Sequence, residues 1–239
     1  MTSPAEAAQI NNLPYPVWEF NYKPERYVHK SWLSDLPNAE LLQKLISEDN
    51  SHKATRLSHH LMGQLGFNGQ FYFDFKDPIT RLALWHGEDL KRLVYHIGIM
   101  FFFDDIRKKI KRDEVNQCRS ELGLDLYNFA LLRAPRLKAT QLKHVKFPDS
   151  MPIKQQVLMA GLLSLFTAMQ GYPIPLLKRF VVKFPRKWFD AYVDFSRRVK
   201  IPGGRAGNIS IVELIMNEIK LEHPLDNSVT PVSKDKGNE

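Results

Sequence analysis

The chain has 239 residues, of which 44 % are hydrophobic and 11 % aromatic, with one cysteine and a formal net charge of +8. This composition supplies enough apolar side chains for a large folded domain and excludes a globally disordered chain. The single Cys118 excludes an intrachain disulfide and is typical of a reducing compartment. We interpret it as a small helical residue, because no nucleophile signature surrounds it.

The positive charge is concentrated in the C-terminal part of the chain. Residues 1–105 carry 10 Lys and Arg against 13 Asp and Glu, whereas residues 106–239 carry 24 against 13. A positive field of this kind speeds the encounter with an acidic protein, a nucleic acid or an anionic membrane surface, and it does not distinguish among them.

The N-terminal region lacks the pattern of a secretory signal, because it has neither a basic start nor an apolar run. Residues 1–17 are polar and contain three prolines, so they are expected to form a flexible extension. An aromatic stretch follows. We expect a short strand-like or extended piece at Trp18–Tyr22 and a short helix from Pro24, since proline suits the first helical position.

Apolar periodicity then predicts two helices, over residues 38–48 and 54–65, the second closed by Gly66 as a C-cap. The next segment, FNGQFYFDF at residues 67–75, alternates aromatic and polar residues as a strand does. No second strand of similar strength exists to pair with it. We therefore predict an aromatic loop rather than a strand, although the alternation by itself fits either structure.

The middle of the chain carries the clearest helical pattern. Asp77 and Pro78 form a helix start, in which the carboxylate caps and proline takes the first position. A second helix is predicted from Glu88 to about residue 110, with apolar residues at i, i+3, i+4 and i+7. A third is predicted over residues 113–132, interrupted at Gly123.

A further helix is predicted over residues 152–170, where the longest stretch without charged residues, Gln155 to Leu177, begins. Its unbroken core runs from Val157 to Met169, whereas a membrane-spanning helix needs roughly 20 apolar residues. We therefore interpret it as a central buried helix.

The C-terminal region is predicted to hold two short helices, residues 176–182 and 188–199, then a loop at 201–208. Ser210 and Glu213 match a capping box that would start a helix over residues 211–221. The whole pattern predicts an all-α protein: one compact domain of about eight to ten helices at residues 18–224, with flexible N- and C-terminal extensions at 1–17 and 225–239.

We find no pattern that predicts catalysis, a cofactor or a metal. The eight histidines are scattered, and none forms a pair with the spacing of a zinc site. The glycine-rich GGRAG at residues 203–207 lacks the lysine and hydroxyl residue of a phosphate-binding loop. We therefore predict that the protein is not an enzyme.

One segment stands out by its charge. Residues 178–205, here called the basic segment, contain nine Lys and Arg against two Asp, with aromatics at helical spacing. We expect the aromatics to point inward and the charges outward, as a solvated face or as a docking surface for a protein or a nucleic acid. The candidate docking residues are Arg179, Lys183, Arg186, Lys187, Arg197 and Arg198. A second candidate face is Trp18, Phe20, Tyr22 and Tyr27, unless these aromatics pack onto the core.

Four short patterns resemble the SctK family (YscK, PscK, OrgA and MxiK) of accessory proteins of bacterial type III secretion systems. They are FNYKPERYVH at residues 20–29, RLALWHGEDLKR at 81–92, FVVKFP at 180–185 and LIMNEIK at 214–220. Their order and rough spacing match the family's, and the second pattern is the most specific.

The resemblance implies a non-enzymatic adaptor in the bacterial cytoplasm, at the cytoplasmic face of the inner membrane. Such a protein would link an SctD-like inner-membrane ring protein to an SctQ-like spoke or pod protein of the sorting platform. It would bind no small-molecule substrate and no nucleic acid, and it would meet the membrane only through the ring protein. The alternative from charge alone is a basic helical nucleic-acid-binding protein.

Overall fold

The computed structural model describes residues 13–47, 51–137, 145–148 and 150–219. This part of the chain contains α-helices and short 3₁₀ and π turns but no β-strand, which confirms the all-α prediction. Its eleven α-helices are α1 Tyr15–Tyr22, α2 Ala39–Ser47, α3 Ser51–Gln64, α4 Pro78–Arg81, α5 Gly87–Lys108, α6 Arg112–Leu122, α7 Leu124–Asn128, α8 Ile153–Ala168, α9 Ile174–Val181, α10 Arg186–Ser196 and α11 Gly204–Ile219.

The centre of the fold is the crossing of α5 and α8. A Cβ placed on Gly98 of α5 would lie 1.9 Å from the carbonyl oxygen of Val157, and one placed on Gly161 of α8 would lie 2.0 Å from that of Val94. The reciprocal pairing means that the helices run antiparallel and touch backbone to backbone. Both glycines are required here because any side chain would hold the two helices apart.

The other helices surround this pair. Helix α11 packs on both α5 and α8, and α10 packs on α8. A π turn at Phe129–Arg133 and α7 pack on α5, and α6 packs on α8. As predicted, α8 is central and buried along most of its length. None of the helices in the described part of the chain is long and apolar enough to cross a membrane.

Several helix ends follow the predicted local chemistry. The Asp77 carboxylate accepts a hydrogen bond from the Ile79 amide at 2.8 Å, as an N-cap does. Gly66 has φ +67°, and the Phe67 amide donates to the Met62 carbonyl at 2.8 Å, which closes α3 in a Schellman motif. Gly123, with φ +83°, separates α6 from α7.

The predictions for the N-terminal aromatic stretch are wrong. Residues Tyr15–Tyr22 form a helix rather than a strand-like piece, because Val17, Phe20 and Asn21 are buried at helical spacing. The helix thus also includes residues 15–17, which were assigned to a flexible extension. Residues 1–12 of that extension lie outside the described residues, as does the predicted tail at 225–239.

The last helix also begins earlier than predicted. Helix α11 starts at Gly204, inside the predicted loop, so Ser210 lies within the helix and is not its cap. The Ser210 hydroxyl donates to the Ala206 carbonyl at 3.2 Å. The buried Asn208 side chain donates to the carbonyls of Pro202 at 3.1 Å and Gly204 at 2.6 Å, which fixes the glycine-rich turn as a helix start.

Candidate docking surface

The basic segment is divided between the interior and the surface. Arg179 is fully buried and Lys183 is 6 % exposed, so the prediction that these charges point outward is wrong. The reason is their position. Leu176, Arg179, Phe180 and Lys183 follow an i, i+3, i+4, i+7 stripe, which is the stripe that helix α9 and the following turn bury.

Arg179 is held by backbone carbonyls and aromatic rings. Its guanidinium donates to the carbonyl of Gln70, and at 3.3 and 3.4 Å to those of Asn21 and Phe67. Its central carbon lies 4.6 Å from the centroid of the Phe67 ring, a cation–π contact. No carboxylate among the described residues pairs with it. Burial lowers the pKa of Arg179, and the carbonyl dipoles offset part of the cost of removing its charge from water.

Lys183 makes a similar contact one turn later. Its ammonium donates to the Trp85 carbonyl at 2.8 Å and lies 5.1 Å from the centroid of the Tyr27 ring. Burial lowers the pKa of Lys183 to about 7, partly offset by the charge of Glu19. The side chain therefore gives up much of its charge at the pH where an exposed lysine keeps it.

This lowered pKa predicts a pH-dependent stability. Between pH 7 and the unfolded-state value of about 10.4, the unfolded chain binds one more proton at Lys183 than the folded chain does, so stability rises with pH. From pH 7 to pH 9 we expect a gain of about 2 kcal/mol in the free energy of unfolding, and Lys183→Met should abolish this gain.

Urea titrations at both pH values measure the gain. The exposed Lys187→Met is the control and should keep the wild-type gain. Equal gains in wild type and Lys183→Met would contradict the prediction.

The second predicted face, the N-terminal aromatics, is the other half of the same interior contact. Phe20 is 2 % exposed, and its ring lies 5.9 Å from both the Arg179 guanidinium carbon and the Lys183 ammonium. The Tyr27 hydroxyl donates to the Phe20 carbonyl at 2.9 Å, and burial raises the pKa of Tyr27. Trp18 and Tyr22 are half-buried. The alternative, in which these aromatics pack onto the body of the protein, is what the structure shows for Phe20 and Tyr27.

The aromatic segment after α3 is a loop, as favoured from the sequence. Several of its backbone amides and carbonyls form hydrogen bonds with side chains instead of with a partner strand. The buried Asn21 amide donates to the Tyr72 carbonyl at 2.7 Å, and its oxygen accepts from the Tyr72 amide at 2.9 Å. Arg179 bonds the carbonyls of Phe67 and Gln70, and Arg81 bonds that of Phe75 at 2.9 Å.

The outward side of the same region forms an apolar groove with a volume of about 610 Å³. One wall comes from residues 32–36 and 64–65, chiefly Trp32, Leu36 and Leu65, and the other from α9 and α10, chiefly Leu177, Val181, Phe189 and Tyr192. The more deeply buried lining residues, Phe67 and Phe166, form its floor. We call this feature the apolar groove.

Charged side chains lie at the rim of the apolar groove and beyond it. Arg186 forms an ion pair with Asp35, and its guanidinium lies 5.5 Å from the centroid of the Trp32 ring. Lys178 is an exposed rim residue with no ion pair to any described residue. Of the predicted docking residues, Lys187, Arg197 and Arg198 are exposed, so they remain available as docking candidates.

Sequence reasoning missed the apolar groove because its two walls are far apart in the chain. It also missed the inward role of Arg179 and Lys183, although the stripe that contains them was visible. Asn21 had no signal beyond its position among aromatics. The described residues contain no cluster of three His, Cys, Asp or Glu side chains that could hold a metal ion. Cys118 is a buried helical residue, as expected, and burial raises its pKa, which disfavours the reactive thiolate.

The described residues form an all-α domain, whose surface carries the apolar groove and a basic edge formed by Lys187, Arg197 and Arg198. The chain belongs to the YscK family, since the family model described as YOP proteins translocation protein K (YscK) matches residues 15–198. It is therefore a type III secretion protein, as the resemblance predicted. Comparison with curated proteins and with solved structures gave no match.

Proposed function

We propose that this protein is a non-enzymatic adaptor of a bacterial injectisome, which acts at the cytoplasmic face of the inner membrane. It would link an SctD-like ring protein to an SctQ-like spoke or pod protein of the sorting platform. The observation that carries the proposal is membership of the YscK family over residues 15–198. The helical body, built on the backbone contact of α5 and α8, suits a spacer that holds two partners at a fixed separation.

The exposed cations of α10 and the following turn supply one docking edge. Lys187, Arg197 and Arg198 form no ion pair with the described residues, so a partner's carboxylates would meet no internal competitor there. Charges at the rim of an interface mainly raise the association rate and fix the orientation of the partner. Salt screens their effect, because the Debye length is about 8 Å at physiological ionic strength and falls to about 3 Å at 1 M.

The test is a triple charge reversal, Lys187→Glu, Arg197→Glu and Arg198→Glu. We expect about tenfold weaker binding of one of the two partners and a weaker dependence of its affinity on salt. Binding of the purified chain to the SctQ-like protein and to the cytoplasmic domain of the SctD-like protein is measured by calorimetry at two salt concentrations.

The matched control reverses three exposed cations elsewhere, Arg107→Glu, Lys111→Glu and Arg112→Glu, with the same change in net charge. This variant should bind both partners as wild type does. Unchanged affinity of the first variant for both partners would exclude this edge as a docking site, and absence of any binding by wild type would remove the adaptor proposal.

The alternative, a nucleic-acid-binding protein, is tested with the same variants. Retention of DNA or RNA on a filter at about 150 mM salt, lost on the first triple reversal and kept in the control, would favour it. We expect no such retention, because the structure directs two of the cations of the basic segment into the interior, where they cannot reach phosphates.

A further inference from the structure

We propose that the apolar groove binds an amphipathic helix of a partner protein that carries acidic residues beside its apolar face. This inference rests on the proposed adaptor function and adds to it the place and the chemistry of one docking contact. The groove is apolar, it is preformed, and the rim charge that forms no ion pair with the described residues is positive.

The walls of the groove present large apolar side chains to solvent. Trp32, Leu177 and Phe189 are half-buried, and each lines the open side of the groove. A contiguous apolar surface of this kind is unfavourable in water and is typical of an interaction site. Polar lining groups are few and lie mostly at the rim, which fits the apolar stripe of a helix better than a polar small molecule.

Long-range hydrogen bonds join residues 29–32 to the turn between α9 and α10 and the start of α10. The Trp32 indole donates to the Phe184 carbonyl at 2.8 Å, and the Arg186 amide donates to the Ser31 hydroxyl at 2.8 Å. The His29 amide donates to the Val182 carbonyl at 2.8 Å. These contacts fix the spacing of the walls in the free protein, so a ligand need not order them on binding.

The charge at the rim selects an acidic ligand. Among the described residues, Asp35 is the only acidic residue that lines the groove, and it is already paired with Arg186. Lys178 forms no ion pair with the described residues, and its ammonium extends toward Gly66, which follows Leu65 of the opposite wall, where an added Cβ would lie 4.0 Å away. Lys187 is exposed on the first turn of α10, next to Arg186. A carboxylate beside the apolar stripe would therefore meet lysine, whereas a basic helix would meet like charge.

The test uses the indole resonances of the full chain in a two-dimensional ¹H–¹⁵N NMR spectrum. Of the four tryptophans, only Trp32 lines the groove, so Trp18, Trp85 and Trp188 serve as internal controls. The Trp32 signal is assigned with Trp32→Phe. The probe is a designed helical peptide of about five turns, with leucines on one face and glutamates on the other. A second peptide has lysine in place of every glutamate.

We expect the acidic peptide to shift the Trp32 resonance selectively, and the basic peptide to bind about tenfold more weakly. Lys178→Glu, a change at an exposed residue, should reverse this preference, and Leu177→Glu should weaken both peptides. No shift of Trp32, an equal shift of all four indoles, or equal affinity for the two peptides would overturn the inference. A Trp32 shift on deletion of residues 220–239, without peptide, would identify the chain's own tail as the occupant and also overturn it.

The intact partners separate this inference from the adaptor proposal. If an SctQ-like or SctD-like partner binds wild type and about tenfold more weakly to Leu177→Glu, both proposals are supported. If the partners bind wild type and Leu177→Glu equally, the groove inference fails and the adaptor proposal stands. If neither partner binds, the adaptor proposal fails, and the peptide experiment by itself decides whether the groove takes an acidic helix.

Discussion

Replacing Gly98 with alanine is expected to destabilise the protein by more than about 3 kcal/mol, and Gly161→Ala should do the same. A Cβ at either position would lie 1.9 to 2.0 Å from a backbone carbonyl oxygen of the opposite helix. Backbone cannot move aside as a flexible side chain can, so α5 and α8 must separate. Their separation would loosen every helix that packs on the pair. Urea denaturation of the variants followed by circular dichroism measures the loss.

The control is the same substitution at an unobstructed helical glycine. Gly207 lies in α11, has no positive φ, and has nothing within 4 Å of the position of an added Cβ. Alanine is the better helix former by about 1 kcal/mol, so Gly207→Ala should leave stability unchanged or raise it slightly. If Gly98→Ala behaved like Gly207→Ala, the two central helices would not cross at the distance described here.

The second large effect is expected at the buried guanidinium. Arg179→Ala should lower the free energy of unfolding by about 3–5 kcal/mol, because it removes the guanidinium donor from the carbonyls of Asn21, Phe67 and Gln70 and opens a cavity. Arg179→Lys should also destabilise, since one ammonium cannot reach three carbonyls in the geometry of the guanidinium fork. Urea denaturation measures both losses.

A residue-level readout separates this role from a general loss of packing. The amide of Tyr72, which is bonded to Asn21, should exchange its hydrogen faster in Arg179→Ala, because the extended segment that Arg179 anchors is released. Lys178→Ala, a change at the neighbouring exposed residue of the same helix, is the control and should stay within about 0.5 kcal/mol of wild type. A stable Arg179→Ala with protected Tyr72 would mean that the carbonyls find other donors.

The local sequence predicted which segments are helical and where several helices begin or end. Gly66 required a positive φ, and Asp77 with Pro78 formed a cap, because each depends only on neighbours within a few residues. The same local reasoning failed at Ser210, where a capping box is present in the sequence but lies inside a helix. The buried Asn208 side chain donates hydrogen bonds to the carbonyls of Pro202 and Gly204, and the helix therefore begins before Ser210.

The candidate site was predicted only in part. Exposed Lys187, Arg197 and Arg198 are where the charge pattern placed them. Arg179 was misplaced because charge was given more weight than helical periodicity, although its phase on α9 matches that of Leu176 and Phe180. A periodic stripe predicts burial for whatever residue occupies it, provided that partners exist for a charged one.

By itself, the sequence determined the all-α class, the central position of the apolar helix at residues 153–168 and the resemblance to a type III secretion family. These properties are carried by periodicity and by short patterns, which are contained within single segments. Only the tertiary structure decided that Arg179 and Lys183 face inward and that Trp32 meets Phe189 across a groove. Trp32 and Phe189 are more than 150 residues apart, and no local energy term fixes such a distance. The separation of such distant segments depends on how closely the glycines let α5 and α8 approach. The inward position of Arg179 and Lys183 depends on the backbone carbonyls that accept hydrogen bonds from their buried charges.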